Sequence, residues 1–242
     1  MKKPRIVSRL TSGGIILMTA MLLLLVVIPA ASTNDTLPVA VFRTEAMKNG
    51  VPGGWELETK EGTPRVQFQK EGNAFYVHLI GDGQSAFGIR REVKVDLQEY
   101  PYLNWRWKAV KLPRGGDVRK AETDDQVLQF YIAFSPTGFP ALLNTPVLGY
   151  IWDNKSPKDW TGTSAQPLGN MIRYVVMRNR TDKLDQWYEE KRNILQDYQA
   201  LFQEEKGGVP QGPTKGVQIY INTQRTKGEA EGYIGEVFFS RS

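Results

Sequence analysis

The most distinctive side chains lie in one run, YPYLNWRWKAV, at residues 100–110. Side chains alternate between the two faces of a β-strand. A strand here therefore places Trp105 and Trp107 on one face, and Arg106 and Lys108 on the other. Tryptophan rings can stack on the C–H face of a sugar, and they also fill protein cores. The pair is thus both a candidate glycan platform and a candidate part of the core, and a mid-sheet position favours the core.

Two adjacent acids, Asp124 and Asp125, precede the alternating run QVLQFYIAF. Adjacent carboxylates at the rim of a sheet can ligate calcium through their hard oxygens. They can equally cap a turn, or pair with Arg119 or Lys120. No D-x-D-x-D-G loop supports calcium, so we expect a domain without a cofactor and keep calcium as the alternative.

A charged run, WYEEKRN, occupies residues 187–193. If it is a strand, Glu190 and Arg192 share a face with Tyr188. An arginine beside a carboxylate can clamp a polyol or an acidic ligand, whereas the alternative is a solvated charged face. Glu190 and Asp125 are also the candidate acid and base of a carbohydrate-active enzyme, which needs two carboxylates flanking the scissile bond.

Two loops carry candidate binding residues, because loops carry recognition more often than strands do. Trp152 and Trp160 flank the polar loop WDNKSPKDW. The long apolar loop PTGFPALLNTP, at residues 136–146, is expected to cover the sheet or to form the lip of a ligand site.

The chain has one histidine, His78, and no cysteine. A zinc site normally draws on both residue types, and a cysteine nucleophile is excluded. A Ser-His-Asp triad would have to use His78, which lies in the alternating run FYVHLI, and no G-x-S-x-G motif is present. We expect His78 to be a strand residue with a local hydrogen bond.

Short alternating runs separated by Gly, Pro, Asn and Asp recur along residues 39–240, which is typical of a β-sandwich or barrel. One helix is expected, because Asn193 followed by Gln196 is a plausible N-cap pair. Ile194, Tyr198 and Leu201 then share a helical face, and Gly207 with Gly208 would stop the helix. We favour a strand leading directly into this helix.

The N-terminus has the order of a secretory leader. Four cations precede residue 10, an apolar run spans residues 15–28, and Pro29 and small residues follow. Residues 10–31 also approach the ~20 residues that cross a bilayer. We therefore expect residues 1–32 to be a signal peptide or a membrane anchor, residues 33–38 a linker, and residues 39–242 one domain. The body would be exported to the periplasm, and only the N-terminal segment would contact the membrane.

The net charge of +5 comes mostly from that leader. Four of the 31 Lys and Arg lie before residue 10, which leaves 27 cations against 26 acids in the body. Nucleic-acid binding needs a clustered basic excess, so the body is not expected to bind nucleic acid.

Five runs, in this order, resemble an uncharacterised bacterial family called domain of unknown function 3047. They are LNWRWKAV (103–110), TDDQVLQFYIAF (123–134), VLGYIWDN (147–154), WYEEKRNILQDYQALF (187–202) and EGYIGEVFFS (231–240). The resemblance covers roughly residues 40–240. It implies an exported, mainly β, jelly-roll-like antiparallel sandwich with one short helix, and it implies no activity.

The resemblance also implies a set of marked positions: Trp105, Trp107, Asp124, Asp125, Tyr150, Trp152, Glu190, Arg192, Asn193, Asp197 and Tyr198. One departure concerns residues 221–226, where this chain reads INTQRT instead of an acid-rich run. This departure argues against a metal or acid role at these positions.

Together these observations predict a non-catalytic cell-envelope domain that binds a glycan or another polyol. The predicted ligand contacts are Trp105, Trp107, Asp124, Asp125, Tyr150, Trp152, Glu190 and Arg192. Two alternatives stay open: the carbohydrate-active enzyme, and a structural envelope protein that binds another protein along a sheet edge.

Overall fold

The computed structural model describes residues 1, 35–40, 42, 47–48, 51–72 and 74–242. The chain divides into two compact units, residues 1–33 and 34–242, and the second contains both main sheets. Apart from Met1, the predicted leader or anchor lies outside the described residues, as do the first residues of the predicted linker. Among the residues that the structure describes, no helix is long and apolar enough to cross a membrane.

The second unit is built from two sheets, as the short alternating runs predict. The first half of the chain supplies β1 (Thr36–Ala40), β2 (Met47–Lys48), β3 (Val51–Pro52), β4 (Glu56–Glu61), β5 (Val66–Glu71), β6 (Ala74–Asp82), β7 (Ala86–Glu92) and β8 (Tyr102–Lys111). The second half supplies β9 (Leu128–Ala133), β10 (Val147–Trp152), β11 (Thr161–Thr163), β12 (Ile172–Arg178), β13 (Tyr188–Asn193), α1 (Ile194–Leu201), β14 (Gly216–Asn222) and β15 (Glu229–Ser240).

The larger sheet has seven strands in the order β11-β12-β10-β9-β14-β7-β4. The smaller sheet has six, in the order β13-β8-β15-β6-β5, with β1 also paired to β15. A register shift between Ile234 and Val237 divides β15, so that its first part pairs with β6 and its last part with β1. The short strands β2 and β3 form a separate ribbon.

The fold confirms the jelly-roll-like sandwich, with one difference in strand direction. All pairs in the two main sheets are antiparallel except β10 and β12, which are parallel. The chain leaves β10, runs back along the sheet edge as β11, and then returns as β12 between the two. The three-residue β11 is too short to show an alternating pattern, so the sequence does not predict it.

The core fills the space between the sheets. It is formed by one face of each, including Leu103, Phe130, Ile219 and Phe239, all of which are fully buried. The predicted helix packs at one end of this core. Asn193 is its N-cap and accepts a hydrogen bond from the Gln196 backbone N–H at 3.0 Å, as predicted.

Candidate functional site

A groove runs across the face of the seven-stranded sheet that points away from the core. In β9 the core face carries Phe130 and Ile132, so the opposite face carries Gln129 and Tyr131. In β14 the same alternation turns Gln218 and Tyr220 onto the groove side. The groove thus presents aromatic rings and amide side chains from adjacent strands, and both Tyr131 and Tyr220 are half-buried.

Two glycines let the tyrosine rings lean across the neighbouring strands. A Cβ on Gly149 of β10 would lie 2.8 Å from Tyr131 Cε1 and 2.9 Å from Tyr174 Cδ1. A Cβ on Gly88 of β7 would lie 2.8 Å from Tyr220 Cδ2. Because glycine lacks that atom, the rings can lie against the neighbouring strands on the groove side of the sheet.

Hydrogen bonds hold the groove floor in place. Tyr131 donates its hydroxyl to Gln129 Oε1, and Gln129 Nε2 donates to Asn222 Oδ1. Burial is the main cause that raises the pKa of Tyr131 above its usual value, and it raises the pKa of the adjacent Tyr174 to about 12. The phenols are therefore neutral hydrogen-bonding groups at physiological pH.

The loop at residues 164–170 forms one wall of the groove. Its Gln166 donates to Asp124 Oδ2 at 2.8 Å and accepts from the Arg225 guanidinium at 3.1 Å. Leu168, from the same loop, is 78% exposed and lines the groove. These hydrogen bonds connect the wall to the loop before β9, which contains Asp124, and to the loop after β14, which contains Arg225.

The opposite side of the groove carries charges from β4. Glu58 accepts from Gln218 Nε2 at 3.1 Å and lies 3.6 Å from Arg90. Lys60 has no hydrogen-bond or ion-pair partner among the described residues, and the Arg225 guanidinium bonds only to a neutral amide in that part of the chain. Around Tyr131, Tyr174 and Tyr220, the charges without an ionic partner are therefore positive. Further along the groove, Glu92 and Lys215 also have no ion-pair partner among the described residues.

The groove consists of two adjoining hollows. A hollow of about 350 Å³ lies over Tyr131, Tyr174 and Tyr220. A second hollow of about 620 Å³ adjoins it towards β7 and shares Glu58, Tyr131 and Gln218 with the first. These volumes fall in the range of about 300–1,000 Å³ that is typical of small-molecule sites.

The predicted tryptophan platform lies elsewhere, in the core. Trp105 is 2% exposed, and Trp107 and Trp152 are fully buried. Trp107 packs edge-on against Trp105 at 5.5 Å and lies 5.7 Å from Trp152. A buried indole has no surface to offer a ligand, so the core interpretation holds for these rings and we do not place them in the site.

Tyr150 and Arg192 belong to a closed network that attaches the helix to the sandwich. The buried Tyr150 donates its hydroxyl to Asp197 of α1, and Arg192 contacts the same carboxylate through Nε at 2.9 Å and a terminal nitrogen at 2.5 Å. The predicted clamp thus binds a residue of this chain. Glu190 is also engaged internally, because it accepts from Trp107 Nε1 at 3.0 Å and from Arg178 Nε at 2.7 Å.

The adjacent acids Asp124 and Asp125 have different roles. Asp124 faces the end of the groove, is 5% exposed, and has a raised pKa because burial disfavours its charge. Asp125 is fully buried and caps the turn at Arg225 and Thr226, accepting from both backbone N–H groups. Arg119 pairs with Asp117 and not with either acid.

The carboxylate of Asp124 accepts from Gln166, and that of Asp125 accepts from the turn at residues 225–226. Within the described ranges, no group of three or more His, Cys, Asp or Glu side chains could hold a metal ion. We therefore do not propose a calcium site at this rim. Asp125 and Glu190 also fail as an acid–base pair. Glu190 lies in β13 of the six-stranded sheet, whereas Asp125 lies in the loop before β9 of the seven-stranded sheet. Both side chains are buried against partners of their own.

Asp153 follows β10 and is fully buried behind Asp124 and Gln126. Burial raises its pKa to about 6, against 3.8 for the free side chain. Between pH 3.8 and about 6, Asp153 is therefore protonated in the folded state and ionised in the unfolded state. The contribution of Asp153 to stability is complete below pH 3.8 and is lost as the pH rises through about 6.

We expect Asp153→Asn to remove this dependence, because asparagine resembles the protonated acid. The free energy of unfolding of the variant, relative to the wild type, should be higher at pH 7 than at pH 4. Urea unfolding at both pH values measures the difference. Asp159→Asn, an exposed change in the same loop, is the control, and a difference that does not change with pH would contradict the assignment.

The groove residues Tyr131, Tyr220, Gln218 and Gln166 are not among the predicted contacts, although part of the signal is present. The runs LQFYIA and GVQIYIN alternate apolar residues with amides and tyrosines. That alternation predicts that one face of each strand is directed towards solvent. It does not reveal that these strands are neighbours, which follows only from their pairing.

Solved structures with some similarity to this one include several carbohydrate-active proteins. The family 11 carbohydrate-binding module of the cellulosomal cellulase Lic26A-Cel5E of Clostridium thermocellum is 13% identical, with a TM-score of 0.45, over 87% of this chain and 97% of the module. TmCBM61 in complex with β-1,4-galactotriose is 13% identical, with a TM-score of 0.36, over 78% and 90%. The xyloglucanase domain of NopAA from Sinorhizobium fredii, in complex with cellobiose, is 12% identical, with a TM-score of 0.40, over 78% and 93%.

These scores are too low to transfer a ligand or an activity, so the description of the fold depends on the strand pairing given above. No curated protein sequence matches the chain. A family profile does match, over residues 54–238, and it confirms the resemblance drawn from the sequence motifs. The chain belongs to the family described as "Protein of unknown function (DUF3047)".

Proposed function

We propose that this domain binds a glycan chain in the groove on the seven-stranded sheet. The observation that carries the proposal is the pair of groove-facing tyrosines, Tyr131 and Tyr220, beside the partly exposed amides of Gln218 and Gln166. A pyranose presents a flat patch of C–H groups, which packs on an aromatic ring, and a rim of hydroxyls, which pair with amides. The groove offers both kinds of contact side by side.

The two adjoining hollows favour an oligosaccharide over a single sugar, because together they are lined by residues of several strands. The engagement of Asp125 and Glu190 within the fold favours binding without catalysis. The leader-like N-terminus supports export, so the ligand would be a glycan of the cell envelope.

The experiment is a titration of the full chain with a panel of neutral, amino-sugar and uronic-acid oligosaccharides. A ligand at 100 times its Kd adds about 2.7 kcal/mol to the free energy of unfolding, which a thermal melt detects. Calorimetry then gives the affinity. If no member of the panel shifts the melt or gives binding heat, the proposed function is wrong.

The uncommitted cations predict a preference for acidic glycans. We expect a uronic-acid oligosaccharide to bind more tightly than its neutral counterpart, because its carboxylates can pair with Lys60 and Arg225. Exposed pairs of this kind contribute about 0.2–1 kcal/mol each. The double variant Lys60→Gln, Arg225→Gln should therefore lose the preference while it keeps affinity for the neutral chain.

The control for this comparison is Lys94→Gln, which removes an exposed cation that does not line the groove. The preference should also weaken as salt is added, because salt screens exposed charges. Equal affinity of the wild type for the acidic and the neutral chain would contradict this prediction. It would not contradict the proposal that the groove binds a glycan.

A further inference from the structure

The loop between β9 and β10 exposes large apolar side chains at its tip. Phe139 is 95% exposed, Leu142 is 89% exposed and Leu143 is 38% exposed. Most exposed apolar residues on a soluble surface are scattered singly, and a contiguous group marks an interaction site. The sequence analysis expected this loop to cover the sheet or to form the lip of a ligand site. These three side chains are exposed instead of covering the sheet, and none of them lines the groove.

The polar groups of the same loop form hydrogen bonds with the backbone of the loop itself. Thr137 donates its backbone N–H to the Asn144 carbonyl at 2.8 Å, and Asn144 Nδ2 donates to the Pro140 carbonyl at 2.9 Å. Thr145 Oγ1 donates to the Ala141 carbonyl at 2.7 Å. A loop that bonds its own backbone and presents apolar side chains suits a lipid surface, because polar groups left unpaired there are costly.

This loop lies at the end of the sandwich where the described chain enters. Thr36 of β1 pairs with Ser240 of β15, and Ser240 also pairs with Tyr102, the first residue of β8. Helix α1 starts at this same end, and its Tyr198 packs on Phe134 at 4.6 Å, directly before the loop. The apolar loop and the start of β1 therefore share one end of the domain.

The sequence before β1 contains the apolar run at residues 15–28, and seven residues separate that run from Thr36. Seven extended residues reach at most about 25 Å. If the run lies in a membrane, this tether keeps the loop end of the domain near the bilayer surface. The body carries a near-neutral charge, so apolar insertion and not charge attraction would have to provide the contact.

We propose that the loop at residues 136–146 docks on the bilayer in which the N-terminal apolar run resides. Phe139 and Leu142 enter the boundary between headgroups and acyl chains, at a depth of about 5–10 Å that is typical of interfacial apolar groups. The docked loop holds the domain in a defined orientation, and the proposal does not depend on what the groove binds.

The test uses the full chain in nanodiscs of phosphatidylcholine. Because the chain has no cysteine, a single introduced cysteine can carry an environment-sensitive fluorophore without a background. The reporter is Leu142→Cys, with Phe139→Cys as a second reporter should the first fail to fold. The controls are Leu184→Cys, an exposed leucine at the opposite end, and Gln98→Cys, an exposed polar position at the same end.

We expect the label at position 142 to show blue-shifted emission. We also expect lipids with a spin label near the headgroup to quench it several-fold more than the labels at 184 and 98. Equal quenching at 142 and 98 would overturn the proposal, since proximity alone would then explain the signal. Protection of position 142 from aqueous iodide without quenching by the lipid label would also overturn it, because a protein and not lipid would then cover the loop.

Discussion

Replacing both groove tyrosines, Tyr131→Ala and Tyr220→Ala, should abolish measurable binding of the best oligosaccharide found for this domain. Truncation of an aromatic anchor at a binding site costs on the order of 2 kcal/mol, or roughly thirtyfold in Kd. The two rings come from neighbouring strands and lie on one groove, so the double change removes two of its three tyrosine rings. Calorimetric titration of each single variant and of the double variant measures the effect.

The matched control is Tyr233→Ala on the six-stranded sheet. Tyr233 is also half-buried, and its ring stacks on His78 at 4.1 Å, away from the groove. This variant should keep the wild-type affinity. Tyr131→Phe separates the ring from its hydroxyl and should retain most of the binding. Wild-type affinity in the folded double variant would show that the groove is not the binding site.

Trp107→Ala should cause a large loss of stability without changing the affinity of the molecules that remain folded. Large-to-small changes at a buried tryptophan cost about 3–5 kcal/mol, because the transfer energy is lost and a cavity remains. The change also removes the indole N–H that donates to the buried Glu190. Urea unfolding measures the loss.

Trp107→Phe is the companion variant, because it keeps a ring in the core and should lose less stability than the alanine. The glycan titration is then repeated on both variants at a temperature where each is folded. If a Trp107 variant keeps full stability but no longer binds, Trp107 belongs to the ligand site, as the sequence analysis predicted. That result would also contradict the burial of this side chain between the sheets.

The strands themselves were predictable, since local patterning specifies them. The strand expected in the run at residues 100–110 matches β8, and the alternating run FYVHLI lies within β6. The direct passage from β13 into the helix at Asn193 is confirmed as well. Each of these features depends on side chains close together in sequence, either by alternation along a strand or by a capping hydrogen bond.

The location of the site was less predictable. The period of two correctly places Trp105 and Trp107 on one face of β8, but it does not say whether that face meets the other sheet or solvent. Tryptophan suits both environments, so residue type does not decide between them. For the same reason, the sequence did not identify Tyr131 as a groove residue, although it lies next to the buried Phe130 in sequence.

The sequence by itself therefore determined the class of fold, the helix start, the near-neutral body and the leader-like N-terminus, all of which depend on composition or on short-range pattern. The tertiary structure alone decided which tyrosines share a groove, that Arg192 is occupied by Asp197, and that Phe139 and Leu142 lie at the end where β1 begins. Those facts depend on which distant strands pair and which sheet face is covered. Strand pairing and the covering of a sheet face both depend on contacts between residues far apart in sequence. A local sequence pattern does not contain that information.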